Sequence, residues 1–156
     1  MKTLVNKGQQ YPTDGGDVPL NYILIEIASP NWYEFIKVQA LVDTGSSTTV
    51  ITTALLERLG LNDVLPYLGD QVSDTANGTI KEPTTEVQIR VTCSDGNTTL
   101  FKDWPVTISK KMDECILGMD LLQYFAVQMK NGQIISMTFD ENSPSAIQKR
   151  KNIRKP

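Results

Sequence analysis

The chain has 156 residues, 40% of them apolar, and carries 15 basic against 18 acidic side chains with no histidine. That length lies in the single-domain range and lets folding bury roughly 70% of the surface an extended chain exposes. No apolar run approaches the roughly 20 residues of a membrane-spanning helix, and without histidine or cysteines at ligand spacing no structural metal site is expected.

Charge is unevenly placed. Five of the fifteen basic side chains fall in Lys149-Arg150-Lys151-Asn152-Ile153-Arg154-Lys155-Pro156, leaving ten basic against eighteen acidic over residues 1–148, a net charge of −8. Residues 141–156 are too polar to pack and are expected as a disordered basic tail, with nucleic-acid contact, a partner surface or a localisation signal as alternatives. Residues 1–17, ending in Gly15-Gly16-Asp17, are expected as a flexible arm, so residues 18–140 form the folded domain. Met1-Lys2-Thr3-Leu4-Val5-Asn6-Lys7-Gly8 lacks the sustained apolar core of a secretion signal, and a cytoplasmic setting is expected. Cys93 and Cys115 are expected as buried free thiols rather than a disulfide.

Along the domain the dominant period is two, the signature of strands. Leu20 to Ile27 reads as a strand, Ser29-Pro30-Asn31 as a turn, and Tyr33 to Val42 as a second strand that delivers Asp43. Thr48 to Ile51 makes a short strand, after which Thr52 or Thr53 caps a helix over Ala54 to Leu59 that stops at Gly60. Further strands are predicted at Thr79 to Glu82, Thr85 to Thr92, Thr98 to Phe101, Val106 to Ser109, Cys115 to Leu117, Phe125 to Met129 and Gln133 to Phe139. Asp95-Gly96 and Asn131-Gly132 mark hairpin turns, and a second short helix covers Met119 to Tyr124. The pattern is that of a mostly antiparallel, barrel-like domain with two small helices.

Leu41-Val42-Asp43-Thr44-Gly45-Ser46-Ser47 is the stretch that reads as chemistry. A carboxylate behind the apolar Ala40-Leu41-Val42 run is poorly hydrated, which is costly unless hydrogen bonds compensate or a second carboxylate shares its proton. Two such groups can hydrolyse an amide, one activating water while the other polarises the carbonyl. The motif occurs once, so this chemistry requires two chains per active site. A plainer reading makes Asp43 a turn cap. Gly45 lets the backbone turn without a side chain between catalyst and substrate. Ser46 either bonds the outer oxygen of Asp43 or the substrate backbone, or is an ordinary turn serine. Asp120, early in the second helix, where the positive dipole end favours it, is read as structural. Val72 to Gly78 is small and turn-prone, either a surface hairpin or a flap that holds an extended peptide and excludes water. Trp32 and Trp104, beside turn prolines, read as packing residues.

With these motifs in view, the sequence resembles the retropepsin-like aspartic proteases, single-domain dimeric relatives of pepsin with retroviral, retrotransposon, cellular and bacterial members. Four features occur in the family order: Pro19-Leu20 to Ile27, the Asp43 signature, Thr75-Ala76-Asn77-Gly78, and Ile116-Leu117-Gly118-Met119-Asp120-Leu121-Leu122. The resemblance implies an all-β fold, a retropepsin-like acid protease barrel with short helices that equals one half of a pepsin-type fold. It further implies an aspartic endopeptidase using Asp43 from each subunit of a homodimer, with Thr44 linking the two loops and Gly45 and Ser46 supporting them. Thr75, Ala76, Asn77 and Gly78 would form the substrate-binding flap over a polypeptide substrate, with no metal, cofactor or membrane partner. A catalytically inactive dimeric peptide-binding domain of the same fold is the alternative. Many viral members carry an internal Asp–Arg ion pair at the positions occupied here by Ser47 and Met119, so both partners are absent together.

Overall fold

The computed structural model of the chain describes residues 5–6, 10–13, 16–30, 33–61, 65–142 and 153–154. Three short strands, β1 (Val5–Asn6), β2 (Gln10–Thr13) and β3 (Gly16–Pro19), precede the barrel. The barrel proper uses β4 (Tyr22–Ala28), β5 (Ile36–Val42), β6 (Val50–Thr52), β8 (Gly78–Thr92), β9 (Thr98–Ser109) and β10 (Cys115–Leu117). Alternation explains why these segments close on a core. Ile23, Ile25 and Ile27 of β4 and Val87, Ile89 and Val91 of β8 are at most 2% exposed, each set lying on one face of a pleated strand.

The strand order is β4-β5-β10-β6-β9-β8, and β8 returns to β4 through Glu26↔Arg90, Ile27↔Ile89 and Ala28↔Gln88. Six strands therefore close into a barrel, which leaves no open edge around the ring. β10 lies between β5 and β6, parallel to the first (Leu117↔Val42) and antiparallel to the second (Ile116↔Val50). Since β5 and β6 are consecutive, the loop joining them must pass over the end of β10.

The remaining elements are the helices α1 (Thr53–Leu59) and α2 (Met119–Leu122), the strand β7 (Asp70–Thr75), the hairpin β11 (Phe125–Lys130) and β12 (Gln133–Phe139), and β13 (Ile153–Arg154). The Thr52 hydroxyl caps α1 by accepting from the Leu55 N–H at 3.1 Å, and Gly60 ends it in a left-handed conformation, φ +71°. Asn131 (φ 52°) and Gly132 (φ 76°) make the two-residue turn of the β11–β12 hairpin. Among the described residues no helix is long and apolar enough to cross a membrane.

Several boundaries differ from the sequence expectation. The strands expected at 79–82 and 85–92 are one strand, β8. Thr84 bonds residues 68 and 69 through both its backbone groups, so the nitrogen of Pro83 points to the opposite edge, just beyond the first β9 pair, Thr84↔Thr107. Its missing N–H therefore removes no ladder bond. The strands expected at 98–101 and 106–109 likewise merge into β9, with a bulge around Lys102 and Asp103, the latter at φ +50°. α2 stops at Leu122, two residues before the expected end. Within the expected N-terminal arm, β1 pairs with β4 and β2 pairs with β3; Gly15-Gly16-Asp17 signals a turn, which is as compatible with a hairpin as with a loose arm. In the expected tail, Ile153↔Phe101 and Arg154↔Leu100 pair β13 with β9, and residues 143–152 lie outside the described residues, as does Trp32.

Candidate active site

β5 carries Asp43 to the rim of the barrel, and the following residues fold into a turn held from inside and outside. The Asp43 N–H donates to the Leu117 carbonyl at 3.1 Å, extending the β5–β10 ladder by one residue, and the Asp43 carbonyl accepts from the Ser46 N–H at 3.2 Å. The Gly45 N–H donates to Asp43 Oδ1 at 2.9 Å. The Asp43 side chain is half-buried, while Thr44 and Gly45 are exposed. Gly45 needs no positive φ; a Cβ there would lie 3.2 Å from Asp43 Oδ1, close enough to push the carboxylate by a few tenths of an ångström. The Ser46 hydroxyl donates to the Thr48 carbonyl at 2.7 Å. With this bond Ser46 closes its own loop, in the manner of an ordinary turn serine, one of the readings the sequence left open.

β10 and α2 clamp the other end of this loop. The Met119 N–H donates to the Ser46 carbonyl at 2.8 Å, and the Gly118 N–H donates to Thr49 Oγ1 at 3.2 Å. Gly118 is required by close approach, since a Cβ would stand 2.3 Å from the Thr48 carbonyl oxygen. Thr49 in turn donates to Asp120 Oδ1 at 2.8 Å, and the Trp104 indole N–H donates to Asp120 Oδ2 at 3.2 Å. Asp120 is therefore structural, as expected, but by two side-chain bonds rather than by the dipole of a four-residue helix. Trp104 packs against Phe101 and Tyr124 as expected, with that bond added.

Thr75, Ala76, Asn77 and Gly78 form the tip of the β7–β8 hairpin. Thr75↔Gly78 is its last pair, and Gly78 has φ +113°. Ser47 and Met119 are both exposed. Met119 joins Val42, Thr44, Leu122, Val127 and Met129 around an apolar depression of about 400 Å³ beside the Asp43 loop. A smaller depression of about 290 Å³, between β5, β10 and α1, holds none of the expected site residues. Both cysteines are free and buried; burial pushes the Cys115 thiol up and that of Cys93 up to about 11. Among the described residues no group of three or more His, Cys, Asp or Glu side chains is gathered as a metal would require. Thr49 and Asn21, which bonds both β5 and the β11–β12 hairpin, escape sequence reading because their partners are distant in the chain.

A closed six-stranded barrel with an Asp-Thr-Gly loop pinned over its inserted strand is the retropepsin-like fold. Among solved structures, the crystal structure of a retropepsin-like aspartic protease from Rickettsia conorii is similar to it with a TM-score of 0.50 and 20% sequence identity, covering 88% of this chain and 94% of that one. Residues 35–124 match the family described as "gag-polyprotein putative aspartyl protease", and the chain belongs to that family. No curated protein sequence matches it.

Proposed function

We propose that the chain is an aspartic endopeptidase that works as a homodimer, with Asp43 of each subunit flanking one water molecule. The observation that carries this reading is a contrast between two carboxylates at one loop. Among the described residues Asp120 accepts protein donors at both oxygens, whereas Asp43, half-buried at the end of β5, accepts a single donor, the Gly45 N–H. In this reading the second open carboxylate is Asp43 of a second chain. The exposed Thr44 and the apolar depression beside it suit a two-fold partner.

In the proposed reaction one Asp43 carboxylate takes a proton from water as the water oxygen attacks the scissile carbonyl carbon. The protonated mate gives its proton to the carbonyl oxygen. Collapse of the diol breaks the C–N bond: the carboxyl that took the water proton gives it to the leaving nitrogen, a diol hydroxyl proton passes to its mate, and the pair again holds one proton in its starting arrangement. The Thr75–Gly78 tip supplies backbone groups above the extended peptide. Asp43→Asn keeps the shape but provides neither base nor shared proton, so turnover of an unfolded polypeptide is expected to fall at least ~10²-fold with assembly and melting temperature retained. Undiminished turnover in Asp43→Asn sinks the reading; peptide binding without turnover by the wild-type chain would leave a binding domain in its place.

A further inference from the structure

The β11–β12 hairpin shares no ladder with the barrel and is a separate two-stranded sheet. Two of the places where polar bonds hold its β12 side stand out. At one, the Ser94 N–H donates to the Met137 carbonyl at 2.9 Å and the Met137 N–H donates to Ser94 Oγ at 2.8 Å. At the other, Asn21 Nδ2 donates to the Gly132 carbonyl at 2.9 Å, and the Ile134 N–H donates to Asn21 Oδ1 at 2.8 Å. The side-chain amide thus pairs with the hairpin backbone as a neighbouring strand would.

The two clamps differ in what stands behind them. Ser94 belongs to the loop between β8 and β9. Asn21 is the residue before β4, and its own carbonyl accepts the Val42 N–H at 2.8 Å, immediately before Asp43. One buried residue therefore holds the hairpin with its side chain and the end of β5 with its backbone. The same hairpin supplies Val127, Met129 and Ile134 to the apolar depression that Thr44 and Met119 also line.

We propose that Asn21 is a positioning residue that couples the seating of the β11–β12 hairpin to the placement of Asp43. This rests on the reading of Asp43 as the catalytic carboxylate. Anything that seats or lifts the hairpin, a second subunit above all, acts through Asn21 on the last residue of the catalytic strand. Removing the amide frees residue 21 at the start of β4, and its carbonyl no longer keeps the Val42 N–H in place.

The test compares full-length Asn21→Ala with Ser94→Ala, which loosens the same hairpin without touching β5. Amide hydrogen exchange and steady-state kinetics at saturating protein concentration are the readouts. Losing one net hydrogen bond is worth about a factor of five to ten, so in Asn21→Ala the Val42 and Asp43 amides should exchange about tenfold faster and kcat should fall about tenfold with KM unchanged. In Ser94→Ala the Met137 amide should exchange faster, with Val42, Asp43 and kcat as in the wild type. If Asn21→Ala does not fold, Asn21→Asp replaces it, keeping an acceptor for Ile134 while setting an oxygen against the Gly132 carbonyl in place of the donor. Unchanged exchange at Val42 and Asp43 in the folded Asn21 variant overturns the coupling, as does the same loss of kcat in Ser94→Ala. Were the wild-type chain inactive, the functional reading would fail while the exchange comparison would still decide the coupling.

Discussion

Asp43 and Asp120 carry the same functional group and differ only in what surrounds them. Asp120 accepts from Thr49 and Trp104, so an amide at that position either sets its N–H against the Trp104 donor or turns it to the Thr49 hydroxyl, which must then accept rather than donate. Asp120→Asn should cost about 1–3 kcal/mol of stability and reduce activity only as far as folding is reduced, compared by urea unfolding beside turnover; selective loss of turnover in a stable protein would give Asp120 a different role. Cys93 offers a second test at this scale. Burial raises its thiol from 9.0 to about 11, so the unfolded chain ionises first and the folded state loses stability as pH rises through that window, on the order of 2 kcal/mol in all. The stability difference between the wild type and Cys93→Ala should therefore narrow between pH 9.0 and about 11. Asp43 was legible because its signature is local, an acid between an apolar run and Thr-Gly. The partners of Ser46 and Asp120 were not: Ser46 chooses among several nearby acceptors, and Thr49 lies 71 residues from Asp120.

At the scale of elements, β10 decides whether the site exists. It supplies the Leu117 carbonyl to Asp43, and its continuation at Gly118 runs too close to Thr48 for any side chain. Gly118→Ala should destabilise by about 1–3 kcal/mol, the range for forcing extra volume into a packed region, and lower turnover beyond the loss of folded protein. Urea midpoints and kcat measured together check this; normal turnover in the folded fraction would show that the loop can give way. Period-two alternation and turn glycines revealed most of the strands. They failed where β8 and β9 run on through Pro83 and Asp103, because whether a proline breaks a strand depends on which edge its nitrogen faces, and that depends on neighbours distant in sequence. The β7–β8 hairpin was visible through its tip, while β7 itself, Asp-Gln-Val-Ser-Asp-Thr, has too few apolar residues to read as a strand alone.

For the whole molecule, closure of the ring through β4 and β8 settles the barrel, while an apolar face next to Asp43 stays open. Met119 is 40% exposed and Met129 55%, and both line the depression beside the Asp43 loop. If a second copy covers the depression that Met119 and Met129 line, specific activity should rise with protein concentration, with its midpoint near the dissociation constant found by sedimentation and a plateau well above it. Met129→Asp should shift both midpoints upward together by tenfold or more, about 1.4 kcal/mol of association free energy; full activity in a monomer would end the dimer proposal. The barrel and its family were readable because four motifs fall in order along one chain. The exposed face was not, since a strand pattern does not say which apolar residues are left uncovered.

The insertion of β10 also sets a schedule for biosynthesis. Asp43 emerges from the ribosome early, but the groups that hold its loop, the Leu117 carbonyl and the Gly118 and Met119 amides, are more than seventy residues downstream. At about 5–20 residues per second, a nascent chain spends several seconds with the Asp-Thr-Gly segment made and unsupported. The loop that carries Asp43 therefore cannot be held in its final form on a partial chain, and any activity that depends on it has to wait until nearly all of the domain has been translated.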